Sequence, residues 1–248
     1  MTGSNPGPET FSVARFDAKR ALAYDDTVAR AIPGYATLHD VIAAVTASLL
    51  PQEARILVVG AGTGAEILRL GIHQPGWSFL GLDPAEDMLA VARERLTLAE
   101  GGLIDRVDLM AGTLEDLSCA PPSPFDAALC VLVSHFLPDT VEGKAALFAG
   151  IAALVKPGAP LILADFLPPE PPLPGAELME AAWVAWQRDR QIPEEAITRG
   201  LAHARAKTHP VGPKRLGTLL EGAGFAAPQR LFQALHVHGW LSFRKDSA

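Results

Sequence analysis

Apolar positions follow two alternating spacings along this chain, and the alternation predicts strands separated by helices. Short apolar runs at 55–59, 78–83, 106–112, 125–133 and 159–166 are typical of buried parallel strands. Between two of them, "PAEDMLAVARERLTLAE" (84–100) has apolar residues at helical spacing, with Pro84 suited to the first helical position and Asp83 to the N-cap. This order predicts an α/β fold with a doubly wound parallel sheet.

The segments on either side of this core have different patterns. "YATLHDVIAAVTASLLP" (35–51) predicts an N-terminal helix that Pro51 ends, and a proline-rich loop follows Phe166. Helices are expected at 176–190, 193–207 and 211–225, and two strand-like runs at 229–245 predict an antiparallel hairpin. We expect one domain with a loose tail (1–10), N-terminal helices (11–50), a core (55–166), a helical insertion (167–212) and a C-terminal helix with hairpin (213–248).

Composition restricts the class of protein. The 248 residues suffice for one α/β domain, and the net charge of −7 disfavours a nucleic-acid surface. Two cysteines without a C-x-x-C spacing give no disulfide framework; Cys130 lies in an apolar run that predicts a buried thiol. The first ten residues lack the parts of a signal peptide, and no stretch is apolar enough to span a bilayer. We therefore expect a cytoplasmic protein.

The stretch "RILVVGAGTGAEILRL" (55–70) fits two nucleotide-binding patterns. Gly60, Gly62 and Ala65 satisfy G-x-G-x-x-G/A, which is typical of dinucleotide-binding folds. Gly60, Gly62 and Gly64 satisfy the G-x-G-x-G turn of S-adenosylmethionine (SAM) enzymes. Both patterns let the backbone approach a ligand at a helix N-terminus, and in both an acid ending the second strand can bind ribose hydroxyls.

Three observations favour SAM. Glu66 lies where a dinucleotide would place its pyrophosphate, and a carboxylate there would repel phosphates but suit the cations of SAM. A long helical segment precedes the first strand, whereas dinucleotide domains often begin with that strand. The chain ends in a helix and two strand-like runs, which is the order of the SAM methyltransferase sheet.

The chain resembles class I SAM-dependent methyltransferases over nearly its whole length. The resemblance is carried by "ILVVGAGTGAE", "FLGLDPAEDMLAVAR", "MAGTLEDL", "FDAALCVLVSHFLPD" and "LVKPGAPLILADF", in the family's order. "YDDTVARAIPGYATLHDVI" is similar to the subgroup that contains carboxy-SAM synthase. The resemblance implies a seven-stranded sheet with the last strand antiparallel, an N-terminal helical lid and a helical insertion after strand five.

The resemblance also implies a cofactor site. The glycine turn would wrap the methionine part, Asp83 would bind the ribose, and Tyr35 would close over the ligand. The implied cofactor-binding residues are Arg30, Tyr35, Gly60, Ala61, Gly62, Thr63, Gly64, Asp83, Pro84, Met88, Thr113, Leu114 and Val131. Members often have an acid where this chain has Thr113, so Thr113 itself, Glu115 or Asp116 would have to replace its contact with the adenine.

Methyl transfer needs a well-placed acceptor and, for a protonated nucleophile, a general base. His135 in "VSHFLPD" is the candidate base, because it follows the fourth strand at the carboxyl edge of the sheet. The alternative is a histidine that only caps the loop.

The segment after the fifth strand has aromatic and basic residues. Trp183, Trp186 and Arg190 could line an acceptor site, as could Arg199 in the basic run "TRGLAHARAKTH". The alternatives are ordinary helix packing and a solvated face. His236 and His238 lack a third metal ligand, so we expect a hairpin pair and no metal site.

The leading hypothesis is methyl transfer from SAM to a small-molecule acceptor. A carboxy-SAM synthase-like enzyme is the first alternative, and it would need an arginine such as Arg188, Arg190 or Arg199 facing the carboxylate. An NAD-dependent oxidoreductase and a SAM-binding protein without turnover are the others. The subgroup resemblance is compatible with a homodimer.

Overall fold

A computed structural model describes residues 18–117, 124–166 and 176–246 of the chain. The strands are β1 (Ala54–Val59), β2 (Trp77–Asp83), β3 (Val107–Ala111), β4 (Ala127–Val131), β5 (Pro160–Phe166), β6 (Gln229–Ala234) and β7 (Val237–Phe243). The α-helices are α1 (Ala18–Ala31), α2 (Tyr35–Leu49), α3 (Ala65–Gly71), α4 (Glu86–Leu98), α5 (Ala146–Leu154), α6 (Ala176–Asp189), α7 (Glu194–Lys207) and α8 (Pro213–Gly222). The predicted tail, the proline-rich loop 167–175 and Cys119 lie outside the described residues.

The seven strands form one sheet in the order β3-β2-β1-β4-β5-β7-β6. β1 to β5 are parallel, and β7 lies antiparallel between β5 and β6. The predicted doubly wound sheet with an antiparallel last strand is therefore confirmed. Its carboxyl edge collects the ends of β1, β2, β4 and β5, where parallel α/β sheets bind ligands.

The sheet is buried on both faces because successive residues of a strand point to opposite sides. In β1, Ile56 and Val58 pack in the core beneath α2, α3 and α4, while Leu57 and Val59 pack in the core beneath α5 and α8. Cys130 is fully buried in the second core, as its apolar surroundings predict. The long apolar strand runs thus reflect burial on both faces.

One helix starts later than predicted, and another is irregular at its start. α4 begins at Glu86 rather than Pro84, because the Asp83 carboxylate accepts the amide of Ala85 and holds the chain extended there. α5 is a regular helix only from Ala146; a π-helical turn at Val141–Ala145 precedes it, with non-helical angles at Gly143. No helix among the described residues is long and apolar enough to cross a membrane.

Candidate functional site

The turn after β1 needs glycine at three positions. Gly60, Gly62 and Gly64 have φ angles of 71°, 51° and 79°, in the left-handed region where a side chain is strained. A β-carbon at Gly60 would also lie 2.2 Å from Cγ2 of Val133. The turn therefore lies directly against the segment that follows β4.

Asp83, at the end of β2, is bound to this turn. Its Oδ2 accepts the amide of Gly62 at 2.9 Å and its Oδ1 accepts the amide of Ala85 at 2.8 Å. Burial raises the pKa of Asp83, and these two hydrogen bonds act in the opposite direction. Each oxygen keeps a lone pair for a ligand hydroxyl, so the carboxylate can bind a ribose.

Met88 forms a wall next to Asp83. Its side chain is buried, and its Cε lies 3.5 Å from the point that a β-carbon on Gly62 would occupy. Pro84, beside it, is exposed. An apolar wall next to a ribose acceptor suits a nucleoside base.

α1 is attached to the glycine turn through Asp25. The hydroxyl of Thr63 donates to Asp25 Oδ1 at 2.6 Å, and Arg95 of α4 pairs with the other carboxylate oxygen. Arg95 also donates to the carbonyl of Thr63 at 3.0 Å. Thr63 therefore connects the loop to the N-terminal helices.

α2 is attached to the same turn by a buried pair. His39 Nε2 lies 2.9 Å from Glu66 Oε1, and His39 Nδ1 lies 2.9 Å from the carbonyl of Tyr35. Because both partners only accept, both ring nitrogens donate and the ring is charged. Burial lowers the pKa of His39, but the hydrogen bond to Glu66 and its charge outweigh burial and raise it.

The pairing with His39 changes what the carboxylate of Glu66 indicates about the ligand. The charge of its carboxylate is balanced by His39, so Glu66 does not discriminate against a pyrophosphate as the sequence suggested. The ring of Tyr35 lies over His39, with 4.3 Å between centroids. Burial, followed by the charges of Glu66 and Asp25, raises the pKa of Tyr35.

The remaining cofactor candidates lie at the same edge of the sheet. Thr113 and Asp116 form a capping box in which Asp116 Oδ2 accepts the amide of Thr113 at 2.8 Å. The carboxylate of Asp116 is therefore already hydrogen-bonded within this turn. Leu114 packs near Gly150 of α5, and Val131 is buried at the end of β4.

His135 forms a buried cluster with the end of β5. Its Nδ1 hydrogen-bonds Asp165 Oδ1, and the hydroxyl of Ser134 donates to Asp165 Oδ2. Burial raises the pKa of Asp165, but the charge and hydrogen bond of His135, with the Ser134 hydroxyl, hold it below its usual range. Histidine and carboxylate thus form a dyad in which Asp165 fixes the orientation of the ring.

Local backbone geometry places this dyad. Leu132, just after β4, has a φ of 59°, which is uncommon for a residue with a side chain. It redirects the chain into the short turn Ser134–Phe136. Below that turn, the fully buried Lys144 donates to the carbonyls of Ser134 and Leu137, the latter at 2.8 Å.

A cavity of about 220 Å³ lies beside the dyad, and we call it the insertion cavity. The described residues that line it are Phe166, Glu180, Trp183, Leu201, Ala204, Arg205, Thr208, Pro210 and His236. Phe166 directly follows Asp165. The amide of His209, between two lining residues, donates to the carbonyl of His135 at 2.6 Å.

The predicted acceptor residues are not all at this cavity. Trp183 lines it, and its indole donates to the carbonyl of Ala31 at 2.7 Å. Trp186 donates to the carbonyl of Arg30 at 3.0 Å and lies beneath the guanidinium of Arg190. Arg199 is exposed near Glu195.

The other basic candidates also lie elsewhere. Arg188 pairs with Glu194, and the exposed Arg30 pairs with Asp26 at 2.9 Å. His238 is on β7, and His236 is in the cavity lining just before that strand. Among the described residues, no group of three His, Cys, Asp or Glu could hold a metal ion.

Sequence reasoning missed three residues of the site: Asp165, Lys144 and His39. Asp165 is the second-to-last residue of β5, and Asp83 is the last residue of β2, so a search for acids near the carboxyl ends of strands would have indicated both. Lys144 and His39 give no comparable signal, because a lysine in a helical segment and a histidine before Asp40 are both typical of solvated faces.

Comparisons with known proteins find sequence similarity to methyltransferases and to carboxy-SAM synthases. Residues 57–161 match the family model of a methyltransferase domain. A carboxy-S-adenosyl-L-methionine synthase of Campylobacter hominis is 29% identical over 107 residues, which are 42% of this chain and 45% of the relative. One of Wolinella succinogenes is 26% identical over 233 residues, 92% of this chain and 90% of the relative.

The fold is also similar to that of a solved methyltransferase. The magnesium protoporphyrin IX methyltransferase of Synechocystis, solved with S-adenosylhomocysteine (SAH), matches with a TM-score of 0.61 at 17% identity, covering 93% of this chain and 96% of that one. The first relative above is matched over less than half of its own length. The sheet order and the match over residues 57–161 support a class I SAM-dependent methyltransferase.

Proposed function

We propose that the chain binds SAM at the glycine turn and transfers its methyl group to a hydroxyl of a small-molecule acceptor, with His135 as general base. The observation that carries the proposal is the His135–Asp165 dyad. It lies at the carboxyl edge of the sheet, and Phe166, the residue after Asp165, lines the insertion cavity. Both ligands of a transfer reaction would meet there.

The residues at the glycine turn suit SAM. Asp83 offers a carboxylate to the ribose hydroxyls, and Met88 offers an apolar wall to the adenine. Thr63 connects the turn to α1, and Glu66 connects α3 to His39 of α2; these two helices would cover the methionine part. The roles suggested for Gly60, Ala61, Gly62, Gly64, Pro84, Thr113, Leu114, Val131 and Arg30 are part of this proposal.

When bound, SAM supplies an electrophilic methyl group and is left as SAH. His135 accepts the hydroxyl proton at Nε2, while its Nδ1 keeps its proton and donates it to Asp165. The anionic Asp165 stabilises the imidazolium that forms, and the acceptor oxygen gains the methyl group. The dyad therefore favours an acceptor whose proton must be removed, such as an alcohol.

The first test is mass spectrometry of the ligand released from freshly purified protein, with calorimetry of SAM, SAH and NAD. We expect SAM or SAH to be released and both to bind. With an acceptor found by screening, His135→Ala and Asp165→Asn should lower kcat by about 100-fold or more and leave the SAM affinity unchanged. Binding of NAD alone would overturn the proposal.

A second candidate is conversion of SAM to carboxy-SAM. The alignment with the Wolinella succinogenes synthase over 92% of this chain favours it. That function needs a cation for the added carboxylate, yet Arg188, Arg190 and Arg199 are absent from the described lining of the insertion cavity. A released ligand heavier than SAM by one carboxylate would establish this alternative.

A cytoplasmic location and a homodimer remain predictions. The subgroup resemblance supports the homodimer. Cell fractionation and light scattering of the purified chain would test them. A membrane-bound fraction or a monomer would contradict the respective prediction.

A further inference from the structure

We infer that the acceptor is a neutral aromatic alcohol with a single ring, bound in the insertion cavity. The inference rests on the proposed function and narrows it to a substrate class. It depends on three properties of the cavity: its aromatic walls, its volume and its charge.

Three rings form one side of the cavity. The centroid of Phe166 lies 5.5 Å from that of Trp183 and 5.3 Å from that of His236. Trp183 and His236 are 6.0 Å apart and close to edge-on. These are the separations at which aromatic rings attract one another, so a fourth ring can add to the cluster by stacking or edge contact. An aliphatic alcohol would gain only its apolar area.

The volume limits the size of the ring system. A cavity of roughly 150 Å³ holds benzene, and drug-sized ligands use about 300 Å³ or more. The insertion cavity of about 220 Å³ fits one ring with a small substituent. We therefore expect two fused rings to bind more weakly than a single ring.

The charges in the lining disfavour an anion. Arg205 is positively charged, and its Nη2 lies 2.5 Å from Glu180 Oε1. Because Glu180 already pairs with Arg205, the described lining offers an acceptor carboxylate no cation without a competing acid. The rest of the lining on α7 is apolar, with Leu201 and Ala204.

The described lining of the cavity is connected to the dyad through Phe166 and through His209. The ring of Phe166 is 6.4 Å from that of His135, and its amide donates to Asp165 Oδ1 at 2.8 Å. Thr208 and Pro210 flank His209, which hydrogen-bonds the backbone of His135. A ring inside the cavity can therefore direct its hydroxyl toward the dyad.

The experiment measures binding to the SAH-saturated protein by calorimetry. The probes are guaiacol, cyclohexanol, 4-hydroxybenzoate and 1-naphthol, which change aromaticity, charge and size in turn. We expect guaiacol to bind at least tenfold more tightly than each of the other three. Equal or tighter binding of any of them would overturn the part of the inference that it tests.

Two matched variants locate the site. Ala204→Leu fills the cavity and should weaken guaiacol binding at least tenfold, with SAH affinity unchanged. Ala202→Leu, at an exposed position on the same helix, should change neither. No guaiacol binding by a protein that binds SAH would overturn this inference alone, whereas no binding of SAM or SAH would overturn the proposed function as well.

Discussion

His39 Nε2 lies 2.9 Å from Glu66 Oε1, and both side chains are buried where α2 meets the first turn of α3. The pair joins the N-terminal helices to the helix that follows the glycine turn. Removing one partner leaves the other charge buried without a counter-charge, which typically costs about 3–5 kcal/mol. We expect His39→Leu to lower the free energy of unfolding by about 3 kcal/mol, measured by urea denaturation.

A double variant separates the pair from the packing around it. His39→Leu combined with Glu66→Leu leaves no unpaired charge, so it should lose less stability than the two single variants predict together. Additive losses would mean that the two side chains do not interact. The control is Asp26→Ala, which removes an exposed ion pair with Arg30 and should cost less than about 1 kcal/mol.

The same pair predicts a dependence on pH. The pKa of His39 is raised in the folded protein, so its stabilising effect is fully present below the unfolded value of 6.5 and is lost as the pH rises through the folded value. The difference in Tm between the wild type and His39→Leu should therefore be larger at pH 6 than at pH 9. A Tm difference that does not change with pH would show that protonation of His39 is not linked to folding.

Asp83 predicts a loss of cofactor affinity. A ribose held by two hydrogen bonds to a charged group gains about 1.5 kcal/mol from each, so Asp83→Ala should weaken SAH binding about 100-fold. Circular dichroism should show that the variant stays folded. Asp87→Ala, on the exposed first turn of α4, is the control and should bind normally. Unchanged calorimetry for Asp83→Ala would refute the ribose contact.

The buried amine of Lys144 is expected to stabilise the turn after β4. Burial lowers the pKa of its amine, while the charges of Asp165 and Asp139 act in the opposite direction. Lys144→Met removes the donor to Ser134 and Leu137 and should cost about 3 kcal/mol in urea denaturation. Lys156→Met breaks a half-exposed pair with Asp126 and should cost less than about 1 kcal/mol. Equal losses would show that the burial of Lys144 has no energetic consequence.

Local pattern predicted the sheet, because a strand buried on both faces has to be apolar throughout. The pattern of β1 and the acid at the end of β2 were sufficient to place the glycine turn and Asp83. The local pattern could not predict that Asp165 contacts His135. Thirty positions separate the two residues, and only the register of β4 and β5 brings them together. The start of α4 was wrong because a side-chain hydrogen bond, which propensity ignores, holds Ala85 outside the helix.

Gly60 gives a steric prediction for the cofactor turn. A β-carbon there would lie 2.2 Å from Val133 and would sit on a residue with a φ of 71°. Overpacking costs about 1–3 kcal/mol and the left-handed angle about 1–2 kcal/mol, so Gly60→Ala should cost about 3 kcal/mol. Displacement of the turn should also weaken SAH binding.

The matched control is Gly101→Ala, at a φ of 76° with nothing within 4 Å of the added carbon. It should cost only the angle, about 1 kcal/mol. Adding Gly60→Ala to a Val133→Ala background should then cost about as much as Gly101→Ala, because the clash is gone and the strained angle remains. If Gly60→Ala costs the same in both backgrounds, Val133 does not restrict the turn, and the close approach of the segment after β4 is not what requires glycine there.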